Sequence, residues 1–219
     1  MIDMSSPIAE VLQLPAEPQW LAETRAIAST ELRKLEWPKP DQEEWRRTSL
    51  DGFPFENYAQ TRSQTAESGN SAVEGDGRIT YDNGLLTHFS RPASLREQGG
   101  FLFAYPLDSS HKDLSADQLS RLREVLAQSS TGIDSRFDAW NISSWTQGAL
   151  LYVPDGVVLA DPVRVEYLNP AEGELVQTHT FVVLGRNAQA TVVQHHAGGA
   201  DSLWNAGVTS VVGEGGRLE

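Results

Sequence analysis

The stretch WTQGALLYVPDGVVLADPVRVEY, residues 145–167, sets two runs rich in Val, Leu and Tyr on either side of Pro154-Asp155-Gly156. Proline fixes φ at about −65° and glycine accepts positive φ, so these residues specify a sharp corner between strands. Beyond the corner, Val163, Val165 and Tyr167 alternate with Arg164 and Glu166. That is the two-residue period of a strand with one face inward and one in water. Two further units are built alike, HTFVVL-GRNA-QATVVQHH and VTSVV-GEGG-RLE. The turns open at Pro154, Gly185 and Gly213, 31 and then 28 residues apart. One turn per unit at such a period is the pattern of stacked solenoid coils, each a template for the next. A β-sandwich, with turn signals about every 8–12 residues, is the competing all-β reading.

Upstream the pattern is different. Residues 17–35 read as a helix, with Trp20, Leu21, Ile27, Ala28 and Leu35 near one face and Glu23, Arg25, Arg33 and Lys34 largely elsewhere. The two prolines of WPKP, residues 37–40, end it. In DQEEWRRTSLDGFPFENY, Trp45, Phe53, Phe55 and Tyr58 are expected to anchor that helix onto a body. Glu43 and Glu44 beside Arg46 and Arg47 suggest a surface ion-pair cluster. Residues 60–77 have a linker composition. RITYDNGLLTHF, residues 78–89, reads as a hairpin turning at Asn83-Gly84. SADQLSRLREVLAQ, residues 115–128, reads as a helix capped by Ser115, with Leu119, Leu122, Val125 and Leu126 on one face. After Phe137 helical periodicity disappears. The expected organisation is a helical N-terminal segment and linker (1–76), a mixed α/β lead-in (77–136) and a β core (137–219).

Composition narrows the function. The chain has 219 residues, 39% of them hydrophobic, with six Trp, which is enough for a core. Its net charge of −13 repels phosphate backbones and anionic lipid, so nucleic acid and membrane surfaces are not expected as partners. The absence of cysteine excludes disulfides, a thiolate nucleophile and Cys-ligated metal within the chain. The first twenty residues lack a basic segment followed by an apolar run, and no stretch approaches the roughly 18 apolar residues of a membrane span. The expectation is a soluble, cytoplasmic protein.

Few residues suggest chemistry. His179, His195 and His196 are the only grouped histidines and therefore the metal candidates. Neighbours on a strand point to opposite faces, so His195 and His196 cannot share an ion without a bulge, although His179 could approach one of them. Without carboxylate support the set is weak, and the histidines are read as structural or exposed. GEGG and EGDG lack the Lys-Ser/Thr of a phosphate loop, and no G-x-S-x-G elbow occurs. No catalytic and no cofactor-binding residue is expected.

The 145–167 stretch nevertheless resembles the central block of the SufB/SufD family of iron–sulfur cluster assembly proteins. The matching residues are Trp145, Gly148, Tyr152, Val153, Pro154, Gly156, Val157 and Pro162. EEWRRTSL is similar to a second family block, through Glu43, Trp45, Arg46, Thr48 and Leu50. The resemblance implies a mainly β fold, a partial right-handed parallel β-helix preceded by an α-helical N-terminal segment. Trp145 and Tyr152 would then be apolar caps over the Pro154 corner. It also implies a non-catalytic scaffold subunit of the SUF machine, partnered by a SufB-like subunit and a SufC-like ATPase. Iron–sulfur cluster and ATP would be handled by the wider complex, with no cofactor in this chain. The family's SufB members carry a Glu-Gly-Cys stretch where this chain has His195, His196, Ala197 and Gly198, so SufD is the better likeness. Family members are longer, and the chain stops at GEGGRLE; an N-terminal portion without the ATPase-docking region is implied, prone to self-association through an open β-helix end. The rival expectations are a stand-alone β-helix polysaccharide lyase, disfavoured by the negative charge, and a carbohydrate-binding solenoid.

Overall fold

A computed structural model describes residues 17–60, 64–65, 73–107, 109–198 and 201–219. The reading of the N-terminus as lacking a leader falls mostly outside these residues.

α1 (Gln19–Leu32) follows Pro18 and buries Leu21, Ala28 and Leu32. Ile27, expected on the apolar face, is 50% exposed, and Arg25, expected near water, is only 4% exposed. The surface beneath explains the exchange, because Arg25 donates to the carbonyls of Ser143 and Trp145 at the end of another helix. Residues 33–58 then strap across that helix. Trp37 stacks on Phe55 at 4.6 Å and Trp45 on Phe137 at 5.5 Å. Trp37, Phe53, Phe55, Tyr58 and Phe137 join Leu32, Ala139 and Trp140 in one cluster, with Trp45 stacked on its Phe137, so the aromatic strap anchors α1 as its composition suggested.

The stretch read as a linker contains strand. β1 (Ala59–Gln60), β2 (Gln64–Thr65) and β3 (Val73–Glu74) are all paired, the last two with one strand of the hairpin that follows; the remainder of that stretch before Val73 lies outside the described residues. The hairpin itself is β4 (Arg78–Asp82) and β5 (Leu85–Arg91), turning through Asn83 (φ 48°) and Gly84 (φ 76°). α2 (Ala93–Glu97) and β6 (Phe101–Tyr105) lead to α3 (Ala116–Thr131), where Ser115 and Gln118 form a reciprocal capping box. One helix was not expected. α4 (Arg136–Ser144) lies where helical periodicity seemed to end, and every residue from Ala139 to Ser144 is buried. A helix enclosed on all sides has no polar stripe, so no amphipathic period marks it.

The β core follows as β7 (Gln147–Val153), β8 (Val163–Leu168), β9 (Glu174–Leu184), β10 (Gln189–Ala190), β11 (Val192–Ala197), β12 (Leu203–Val212) and β13 (Arg217–Leu218). Strands pair with the equivalent strand one unit away, and three ladders result. β7, β9 and β12 run parallel, β4, β8 and β11 run parallel, and β10 pairs parallel with β13. The sheets as a whole are mixed, because β6 joins β7 and β5 joins β4 in antiparallel fashion.

The corners stack as well. Gly185 N–H donates to Val153 O and Gly213 N–H to Leu184 O, each at 2.8 Å. Gly156 (φ 74°), Asn187 (φ 56°) and Gly215 (φ 68°) take the left-handed conformation at the same place in successive turns. At a second corner Asn83 and Asn169 (φ 49°) do likewise, linked by Asn83 N–H to Leu168 O and Asn169 N–H to Ala197 O. The sequence spacings of 31 and 28 residues are therefore real structural steps.

Apolar side chains fill the space between the ladders: Val163, Val165 and Tyr167 meet Leu151, Val153, Val182 and Leu184, with Arg164 and Glu166 outside as their alternation required. A second cluster joins the outer face of β7 and β9 to α1 and α3 through Trp145, Leu150, Phe181, Leu21 and Leu122. β7 is thus buried on both faces, which is why its run reads as continuously apolar.

Candidate functional site

The motif residues have structural duties. Trp45 packs on Phe137, while Arg46 is exposed and pairs with Glu43 at 3.1 Å. Pro154 and Gly156 form the corner, and Pro162 precedes β8, where a missing N–H removes no ladder bond. Trp145 does not cover that corner. It sits before the opposite end of β7, fully buried, with the Tyr105 ring 4.6 Å away and the Arg25 guanidinium 4.5 Å over its face. Arg25 also pairs with Glu17 at 3.0 Å, and Glu17 accepts from the Tyr105 hydroxyl at 2.6 Å. Tyr152 is nearer the corner but faces the helices, 5.5 Å from Phe101.

Gly148 is kept for closeness. A Cβ there would lie 2.0 Å from the carbonyl oxygen of His179. Its backbone is also tied to the buried Tyr81 hydroxyl, which accepts from Gly148 and Tyr105 N–H and serves the carbonyls of both residues. Burial pushes the Tyr81 phenol well above its ordinary range, so it stays a neutral bridge.

The three histidines are not brought together. His195 and His196 take opposite sides of β11, since His196 is in register with inward Tyr167 and stacks on it at 4.8 Å. His196 meets Trp204 edge-on at 5.1 Å but keeps one side open to water, and packing and His195 lower its basicity. His179 lies on β9 with 3% exposure, pointing to the helical side. Among the described residues, no three His, Cys, Asp or Glu side chains gather as a metal would need.

His179 instead belongs to a polar seam beneath α4 that sequence reasoning missed. Asn141 Nδ2 donates to the carbonyls of Thr178 (3.0 Å) and Asn205 (2.7 Å), which turns its Oδ1 toward His179. His179 Nδ1–H donates to that oxygen at 2.5 Å, leaving Nε2 to accept from the Thr209 hydroxyl at 2.9 Å. Asn205 donates to Gln177 at 3.1 Å, and Gln177 to Ser144 at 2.6 Å. The seam borders a cleft of about 390 Å³ between the end of α3, α4 and β12, whose lining includes Asp134, Asp138 and Thr209. Burial, then Asp134, raises the Asp138 carboxyl against the opposing Ser135 hydroxyl bond. The one sequence signal was an Asn amid the apolar residues of AWNIS.

Hydroxyl, imidazole and amide stand in the order of a nucleophile relay. The electrostatics oppose that use. Burial first and the Arg25 charge second push the His179 pKa down to about 3. A shift in that direction makes the ring a weak base, which works against a general-base role for it. The arrangement joins α4 to two strands and does so with a neutral ring.

No known family's sequence profile matches the chain, and no curated protein matches it. No helix among the described residues is long and apolar enough to cross a membrane.

Proposed function

We propose that this chain is a SufD-like, non-catalytic scaffold subunit of an iron–sulfur assembly complex. In this reading its ladders are coils of a right-handed parallel β-helix. The observation that carries it is the corner at Pro154-Asp155-Gly156, which recurs in register at Gly185 and Gly213 with hydrogen bonds between successive turns. Of the family-like residues, Trp145 is fully buried, Gly148 sits where a Cβ would meet the His179 carbonyl, and Gly156 takes a left-handed φ at the corner. The protein would be cytoplasmic, with a SufB-like subunit and a SufC-like ATPase as partners. Cluster and nucleotide would be cargo and substrate of the assembly.

The polar cleft beside Asp138 is the feature that favours the rival carbohydrate-binding solenoid. Affinity capture of the tagged protein, expressed in its natural reading frame, separates the two readings. Recovery of the SufB-like and ATPase subunits is expected. Glycan retention on an array without those partners would replace the scaffold reading with the rival.

A further inference from the structure

β6 is the last strand of its sheet among the described residues, paired on one side only, with β7. Residues alternate in an antiparallel ladder, so every second N–H and C=O of β6 turns to the free edge. Phe101, Leu102, Phe103 and Ala104 are at most 6% exposed. Their backbone nevertheless makes no hydrogen bond outside the ladder among the described residues. Buried peptide groups without a partner are uncommon, so a polar partner belongs against this edge. A cavity of about 250 Å³ lies there. Phe101 and Phe103 belong to the cluster on the helical side and Leu102 to the cluster between the ladders. All three line the cavity, and only the rim of a strand shows both faces at once.

The rest of the wall carries charge of both signs. Arg91 holds its guanidinium 4.9 Å from the Phe89 ring and 5.6 Å from the Phe103 ring, which fixes a cation beside the aromatic wall. Arg96, on α2, reaches Glu74 at 3.1 Å, but both side chains are 70% exposed, so the pair is weak and Arg96 can turn to another anion. Asp113, just before α3, is exposed and makes no hydrogen bond or ion pair with the described residues. Leu95 and Leu114 add apolar surface. We propose that this cavity binds a free α-amino acid with an apolar side chain. Its carboxylate meets Arg91 and Arg96, its ammonium meets Asp113, and its side chain lies against Leu95, Leu102 and Leu114. The open N–H and C=O groups of β6 serve the two charged ends in the same sense. A bare anion would meet the field of a chain with net charge −13, whereas a zwitterion carries no net charge. The volume falls just below the usual small-ligand range of about 300–1,000 Å³, which suits one amino acid and leaves no room for a peptide. The site shares no residue with the His179 seam and stands whether or not the chain is a scaffold.

Calorimetric and NMR titrations of the full chain use three probes: free leucine, leucinamide, which lacks the carboxylate, and isocaproate, which lacks the ammonium. Leucine should bind saturably and shift the methyl signals of Leu95, Leu102 and Leu114. Each analogue should bind about tenfold more weakly, because it leaves one charged group of the cavity unmatched. Arg96→Gln and Asp113→Asn change exposed side chains, so both variants should fold. Asp113→Asn should abolish the preference for leucine over isocaproate, and Arg96→Gln should narrow the preference over leucinamide. No saturation by about 10 mM leucine would mean that the cavity has no useful affinity, and that overturns the proposal. An analogue that binds as well as leucine, methyl shifts elsewhere in the chain, or an unchanged preference in either variant overturns it too.

Discussion

Replacing Gly148 with alanine tests the claim that β7 and β9 approach too closely there for any side chain. The added methyl would sit 2.0 Å from the His179 carbonyl oxygen, 3.1 Å from its carbon and 3.2 Å from the Trp145 ring. The oxygen is backbone, so it cannot swing away as a side-chain tip would. To reach ordinary contact, Gly148 and His179, which are register partners, must separate by roughly an ångström in a ladder whose strands are about 4.8 Å apart. Overpacking of this kind costs about 1–3 kcal/mol. Separation also loosens the Tyr81 bridge and neighbouring ladder bonds, at about 1 kcal/mol each. The expected total is about 3–5 kcal/mol, or a fall in Tm on the order of 10 °C for a domain of this size. Gly156→Ala is the control. It has open space around its Cβ but a φ of 74°, and should cost only about 1–2 kcal/mol of backbone strain. Thermal and urea unfolding of both variants supplies the comparison. If Gly156→Ala is the more damaging, or Gly148→Ala lies within 1 kcal/mol of wild type, the close-approach argument is wrong.

Other consequences can be checked in parallel. Arg25→Met leaves Glu17 buried and two helix-end carbonyls without their donor, so chemical denaturation should show a loss of about 3–5 kcal/mol, partly recovered in Glu17→Gln/Arg25→Met. A double variant no better than the single would mean the ion pair is not what holds α1. Anaerobic reconstitution with iron and sulfide should yield no stable visible chromophore, because histidine and carboxylate alone are an uncommon ligand set for such clusters. A stoichiometric chromophore lost in His195→Ala/His196→Ala would reverse that reading. Among the described residues β12 pairs only with β9, and Val208 and Val212 are 58% and 43% exposed. Light scattering should therefore detect self-association that Val208→Lys weakens; a strictly monomeric chain at high concentration contradicts it.

Local chemistry was legible wherever a residue's own backbone decided the outcome. Asn83-Gly84 turned the hairpin, Ser115 capped α3, Pro154 and Gly156 made the corner, and the alternation from Val163 to Tyr167 gave the buried side of β8. The repeat spacing gave the stacking of turns, because a corner that must satisfy its hydrogen bonds on the next turn has to recur. What the sequence could not disclose depended on neighbours far along the chain. α4 lacked a period because β9, β12, α1 and the aromatic strap enclose it. Arg25 looked like a solvent-facing helix residue until the carbonyls of Ser143 and Trp145, some 120 residues later, required a donor. His179 looked like one of three metal candidates, yet Asn141 and Thr209 claim both its nitrogens and burial keeps it neutral. Conformational preference is carried by the residue itself, whereas burial and ionisation belong to the surroundings, and those exist only after the chain has folded.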